Sequence, residues 1–305
     1  MKKSVVLIGG GHGLSNLVSG FKNEDIDLNI IVSSTDDGGH TGKIRDEFDS
    51  VAVGDLRMVL NELIDDNSSL KDIFNYRFDC LHGTNSVSLG NLMIASLWEK
   101  YLDIDKVITY FKEKEGIKAN VYLSSNNPLT LCAACENNEV VKCERIIGAS
   151  NKKINRLFVD KKALCNKEML DKLEKADIIV LCPGSLYTSV GSVLCIDEIR
   201  ASILKSEAVI NYVCNIMTQD GETKGYSVYD HVSALENIMN KKIDRVVVNE
   251  GKISDYIKEK YKEENSFVVE CDKFNFNYEF HDLVEIKEEK VRHNSEIVKK
   301  IILDQ

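Results

Sequence analysis

The sequence predicts an α/β protein built on a mostly parallel sheet with helices on both sides. Three observations predict it: short β-branched runs recur, most end in a glycine or polar loop, and a helical pattern follows. That alternation is the pattern of consecutive βαβ units.

The clearest strand-like runs are Val5 to Ile8, Ile30 to Ser33, Ile178 to Cys182, Val209 to Val213 and Arg245 to Val248. They are apolar without a polar alternate face, as strands buried on both sides are. Helical periodicity covers Leu14 to Lys22, Asp55 to Ile64, Leu89 to Tyr101, Asp105 to Lys114, Lys167 to Lys175, Ile196 to Lys205, Val232 to Met239 and Ser254 to Glu263. Between Ala119 and Val159 the pattern breaks into short strand-like pieces with a turn at Glu136 to Asn138, so 119–160 reads as a β-rich excursion. The tail offers a strand-like run, Phe267 to Cys271, a charged stretch around Glu285 to Lys290 that reads as a solvated face, and a final amphipathic helix. No repeat or linker divides the chain, so residues 1–305 are expected to form one domain.

Lys and Arg number 39 against 49 Asp and Glu, a formal net charge of -10. Such a chain has no general attraction for nucleic acid or anionic lipid, so any anionic ligand must be held by a local arrangement. The cysteine count, nine, is odd, and MKKSVVLIGGG is too short in its apolar run for a secretory signal. Thiols in a reducing, cytoplasmic setting are expected, with no stretch near the ~20 apolar residues of a membrane span. An uncovered helix face leaves homodimerisation open.

Six segments carry candidate chemistry. In Val5 to Leu17 a strand runs into Gly9, Gly10, Gly11 and Gly13 and then a helix, which places backbone amides and a helix N-terminus where a phosphate could sit. As a dinucleotide fingerprint it is imperfect, because Leu14 stands where the third glycine would fall, and an NAD(P)-linked oxidoreductase rests on this loop alone. Ser34 to Phe48 places Asp36 and Asp37 after the second strand, as candidate partners for ribose hydroxyls or a hydrated magnesium, with Gly38, Gly39, Gly42, Lys43 and Arg45 nearby. The competing explanation is a helix-capping turn. In Val53 to Leu63, Asp55 at a helix start reads as an ordinary cap, while Asn85 to Leu97 offers Ser88, Gly90 and Asn91 at the head of an apolar helix. Asp177 to Ser192 supplies the hydroxyls of Ser185, Tyr187, Thr188 and Ser189 after Pro183 and Gly184, and Val209 to Val232 supplies Asn215, Thr218, Gln219 and Glu222. Loops after parallel strands share one edge, so these segments should converge.

Cys132 and Cys135 form a lone CxxC, for which ordinary buried thiols are the leading explanation. His12, His40 and His231 fall in the loop segments and His82, His281 and His293 do not; a base role is assigned to none.

Taken in order, IGGGHGLSNL, DDGGHTGKIR, GDLRMVLNEL, SLGNL, PGSLYTS and NIMTQDGETKGYSVYDHV resemble the gluconeogenesis factor family, UDP-sugar-binding bacterial morphogenesis proteins related to archaeal 2-phospho-L-lactate transferase. The resemblance implies a three-layer α/β/α, Rossmann-like fold, a site for a nucleotide sugar of the UDP-N-acetylglucosamine class, and a role in cell shape on gluconeogenic carbon sources. Cell-wall synthesis proteins are the implied partners. By motif, Gly10, Gly11 and Gly13 would meet the nucleotide or its phosphates, Asp36 and Asp37 ribose or metal, and Asn91, Ser185, Tyr187, Thr188 and Asn215 the rest of the ligand. The related transferase uses a guanosine diphosphate donor with magnesium, which makes a magnesium-dependent transferase the alternative. This chain departs from the family pattern at Val87, Cys182, Ser192, Val193 and Asp220. The histidine and asparagine replaced by Val87 and Val193 weigh against transferase chemistry.

Overall fold

A computed structural model describes residues 2–78, 87–136, 139–273 and 276–304. The chain runs β1 (Ser4–Gly9), α1 (Gly11–Phe21), β2 (Asp27–Val32), α2 (Gly39–Phe48), α3 (Gly54–Leu63), α4 (Ser69–Asn75), α5 (Leu89–Tyr101), α6 (Ile104–Glu115) and β3 (Asn120–Leu123). It continues through β4 (Leu131–Cys135), β5 (Val140–Lys142), α7 (Glu144–Gly148), β6 (Ile154–Val159), α8 (Lys167–Glu174) and β7 (Ile178–Leu181) to a π-helical turn, Leu186–Gly191. Then come α9 (Ser192–Leu194), α10 (Asp197–Lys205), β8 (Val209–Val213), α11 (Val228–Met239), β9 (Arg245–Asn249), α12 (Asp255–Glu263), β10 (Tyr278–His281), β11 (Val284–Lys287), β12 (Lys290–His293) and α13 (Ser295–Leu303).

Seven strands form one sheet in the order β10-β9-β8-β7-β1-β2-β3, every pair parallel. From β1 the chain builds outward through β2 and β3, then returns to place β7 on the other side of β1. The direction of winding therefore reverses between β1 and β7. Beyond the carboxyl ends of those two strands the following loops part, which is where open α/β sheets hold ligands.

Strand periodicity divides the core. Val5 and Leu7 face one side with α1, α3, α5, α6 and α13, while Val6 and Ile8 face the other with α8, α10, α11 and the excursion. Both faces are thus covered, as the unbroken apolar strands require. The excursion is the antiparallel sheet β5-β4-β6, packed through Leu131, Ala133, Val141 and Leu157. It is narrower than the sequence suggested, since Asn120–Leu123 is an edge strand of the main sheet. Part of the turn expected at Glu136 to Asn138 lies outside the described residues.

The tail also differs. Phe267 to Cys271 is no strand; Val268 makes a single bridge to Met217, and the seventh strand is β10, held to β9 by a bidentate Arg245–Glu279 pair with both contacts at 2.6 Å. The charged stretch is the hairpin β11–β12, turned by Glu288 and Glu289 at φ 49° and 60°. Two successive left-handed residues make the turn that suits strand twist, normally supplied by Asn-Gly. Two glutamates hide it.

Candidate functional site

Gly10 leaves β1 fully extended and Gly11, at φ 57°, starts α1 in the left-handed region. The glycines do separate work. Gly11 makes the turn, whereas a Cβ on Gly13 would lie 1.8 Å from the Pro183 carbonyl oxygen and one on Gly10 would lie 2.4 Å from Asp55 Oδ2. Bare glycine thus lets the first turn of α1 press onto the loop after β7, bringing together the two loops of the reversal point.

The loop after β8 locks this junction. Asn215 Oδ1 accepts the Gly184 N–H at 3.0 Å and its Nδ2 donates to the Gly184 carbonyl at 2.7 Å. Ser185 Oγ donates to Gln219 at 2.8 Å. A cleft of about 540 Å³ opens here, lined by Gly10, Gly11, Gly13, Ser185 and Asn215 together with His12, Tyr261, Arg292 and His293. Five of the expected ligand residues therefore converge.

Among the lining residues Arg292 is the one Lys or Arg, and Asp220 and Glu264 are the acids. His12, in the first turn of α1, has its pKa pushed down by burial and then by Arg292, Lys290, Arg57 and Arg77. Burial first, and these charges second, disfavour protonation of the imidazole. Lys290 and Arg292 arrive on β12, which is anchored where Asn16 Nδ2 donates to the His293 carbonyl at 2.6 Å and His293 Nε2 donates to the Cys214 carbonyl at 2.9 Å. Complete burial lowers the His293 pKa to about 4, so this ring stays neutral. The charged stretch Glu285 to Lys290 is largely exposed, as expected, while Val291, Arg292 and His293 just after it wall the site.

Behind the glycine loop lie four carboxylates. Burial and then the Asp36 charge raise Asp55 to about 7, opposed by a hydrogen bond from the Gly11 N–H. Burial also raises Asp36, although its Oδ1 accepts the Gly38 N–H at 2.8 Å. Glu144 is pushed well above the carboxylate range by burial and by Asp36, Asp55 and Glu222, and it accepts a bond from Thr35 Oγ1 at 3.1 Å. Glu222, raised by burial, accepts the Tyr187 N–H at 2.9 Å and Thr188 Oγ1 at 2.5 Å. Burial in every case, and neighbouring carboxylates for Asp36, Asp55 and Glu144, disfavour ionisation here.

Asp55 is not the ordinary cap its position suggested. No side chain caps α3, and the carboxylate crosses to the neighbouring loop instead. Adjacent Asp36 and Asp37 diverge: Asp36 faces Asp55, whereas Asp37 accepts the N–H groups of Glu144 and Arg145 at 3.2 and 3.0 Å. Arg45 does not reach the cleft either, because its guanidinium ties the carbonyls of Thr35, Asp36 and Leu129. Asn91 sits buried in the first turn of α5, its N–H bonded to Ser88 Oγ at 3.2 Å. Tyr187 turns away from the cleft to meet the Tyr226 hydroxyl at 2.9 Å, and Thr188 is enclosed on Glu222. The departures Val87, Cys182 and Val193 are core residues. His82, Asn85, Ser86 and the His40 side chain lie outside the described residues, while His231 is buried in α11 with Nδ1 2.8 Å from the Ser227 carbonyl. Cys132 and Cys135 are buried free thiols. Among the described residues, no group of three or more His, Cys, Asp or Glu side chains is arranged to hold a metal, and no helix is long and apolar enough to cross a membrane.

A family model described as 2-phospho-L-lactate transferase CofD matches residues 5–291. The chain belongs to the CofD family. Within it, the gluconeogenesis factor of Halalkalibacterium halodurans is 36% identical over 312 residues, 99% of this chain and 96% of that protein. The gluconeogenesis factor of Bacillus subtilis is 33% identical over 310 residues, covering 99% and 98%. A crystal structure of a Bacillus halodurans protein superposes with a TM-score of 0.95 at 35% identity, covering 99% of this chain and all of that one. The CofD-family match stops at 291, one residue before Arg292, yet Arg292 and His293 complete the cleft.

Proposed function

We propose that this gluconeogenesis-factor relative binds a nucleotide sugar of the UDP-N-acetylglucosamine class at the β1/β7 cleft and acts as a sensor needed for cell shape on gluconeogenic carbon. One observation carries the reading: Arg292 lines the cleft with His12 and the Gly10, Gly11 and Gly13 loop at the start of α1, in a chain of net charge -10, and Lys290, Arg57 and Arg77 also act on that imidazole. A diphosphate is the ligand feature that uses helix amides and several cations together. The flanking loops supply Ser185 and Asn215 for sugar or ribose hydroxyls.

Calorimetric titration of the purified chain with UDP-N-acetylglucosamine, GDP and NADPH, each with and without magnesium, tests this. The expected result is selective UDP-sugar binding without release of UDP or UMP. Steady release of either, or no UDP-sugar binding, overturns the sensor reading.

A second reading, a magnesium-dependent transferase with a nucleotide diphosphate donor, is favoured by the Asp36–Asp55 pair. Asp36 Oδ2 lies against Gly54, within 3.0 Å of where its Cβ would be, and Asp36 raises the Asp55 pKa. Two carboxylates fit Mg²⁺, which commonly takes one or two and leaves its other positions to water and phosphate. When bound there, the ion would neutralise charge developing on the transferred group. On this reading Asp36→Asn abolishes a magnesium-dependent turnover; unchanged turnover removes the reading.

A further inference from the structure

A second cavity, about 650 Å³, shares no lining residue with the cleft. Its walls are β6 and one stripe of α11, on which Asp230, Ser233, Ala234, Asn237 and Ile238 recur at helical spacing. Tyr187 and Tyr226 close a third side with their hydroxyls bonded to each other. The volume lies within the range of small-molecule sites.

The lining charge is opposite to that of the whole chain. Lys152, Lys153, Arg156, Arg200 and Lys224 line the cavity against two acids, Glu222 and Asp230. Both acids are already engaged, Glu222 by the Tyr187 amide and Thr188 hydroxyl, Asp230 by the Ser227 N–H and Oγ at 2.9 Å each. Lys152, Lys153 and Arg200 pair with the exposed carboxylates of Glu139, Glu136 and Asp197, Lys224 pairs with half-buried Asp220, and the Arg156 guanidinium lies over the Phe158 ring. Exposed pairs are weak and yield readily to a dianion. Leu157, Ala234, Ile238 and the two tyrosine rings give the cavity an apolar surface for a ring.

We infer that this cavity is a second binding site, separate from the cleft, for a phosphorylated small molecule with a ring body. Phosphate meets Arg156, Arg200 and the rim lysines while the ring lies against the tyrosine pair and α11. This assignment does not depend on which nucleotide the cleft takes.

Equilibrium dialysis of the full chain with radiolabelled phenyl phosphate tests it, using Arg292→Ala as background so that anion binding at the cleft is weakened. The background is expected to keep one saturable site. Adding Arg156→Ala and Arg200→Ala weakens it at least tenfold, and Asn237→Trp, which blocks the cavity without removing charge, abolishes it. Absence of binding in the background, or binding unchanged by both the double alanine and the tryptophan variant, overturns the inference. UDP-sugar titration of the wild type reads the cleft separately, so failure at one site is distinguishable from failure at the other.

Discussion

Asp55 Oδ2 lies against Gly10, 2.4 Å from where a Cβ there would stand, joining the start of α3 to the turn that opens α1. The contact leaves a carboxyl buried beside Asp36, with the Gly11 N–H opposing the rise in its pKa. Its folded pKa, about 7, lies above the ordinary value of 3.8, so between those limits the folded state holds more protons than the unfolded one. Stability is therefore full below about pH 4 as far as this group is concerned, and is lost as pH rises towards 7. Asp55→Asn keeps an acceptor for Gly11 and removes the titration. Urea unfolding from about pH 5 to about pH 8 should show wild-type stability falling by a few kcal/mol, at about 1.4 kcal/mol per pH unit until the folded carboxyl ionises, with a shallower fall in the variant. Equal slopes would mean Asp55 does not titrate there.

Gly11 and Gly13 should respond differently to alanine. At Gly11 the added methyl meets no atom within 4 Å, and only the left-handed backbone resists, at about 1–2 kcal/mol. At Gly13 it would fall 1.8 Å from the Pro183 carbonyl oxygen, a backbone atom that cannot swing aside. Denaturant midpoints should place Gly13→Ala well below Gly11→Ala, with α1 forced off the β7 loop and cleft binding lost. Similar midpoints would show that α1 and the β7 loop are not in tight contact.

The sheet was legible because its strands are unbroken apolar runs, and the meeting of Gly10, Gly11, Gly13, Ser185 and Asn215 follows from parallel topology alone. What stayed hidden has physical causes. α2 carries GHTGKIRDEF, with two glycines inside it and little apolar stripe, and is tied down by Arg45 instead. Asp55 at a helix start resembles a cap in any sequence; only the approach of Gly11 gives it another partner. Arg292 and His293 reach the cleft through a hairpin whose turn residues carry no turn signal, after a tail that looks like charged surface. Tyr187 sits in a hydroxyl-rich run, and nothing local says that a π-helical turn points it elsewhere.

Arg292 should be the strongest single lever on ligand affinity. It approaches His12 from β12 and is the largest charge lowering that pKa, so it faces the same ground a phosphate would occupy. A charge-assisted hydrogen bond is worth about 1.5–3 kcal/mol, so Arg292→Ala should weaken UDP-N-acetylglucosamine binding roughly 10- to 150-fold. The thermal midpoint should stay near wild type, because His293 and Asn16 still hold the hairpin. Raising the salt concentration should also lower wild-type affinity more steeply than that of the variant. Unchanged affinity would place the phosphates elsewhere.

Tyr187→Phe should leave cleft affinity within about twofold, since it removes only a hydroxyl that meets Tyr226 away from the cleft. The motif had placed Tyr187 against the ligand, so the variant separates motif from geometry. Its backbone N–H still donates to Glu222, and that link to the acidic group survives the substitution. Asn215→Ala is the matched comparison, because it cuts both bonds to Gly184 and should weaken binding at least tenfold by loosening the β7 loop. Calorimetry on the two variants under one buffer decides the matter. A large loss with Tyr187→Phe and none with Asn215→Ala would move the ligand from the β1/β7 cleft to the far side of the π-helical turn.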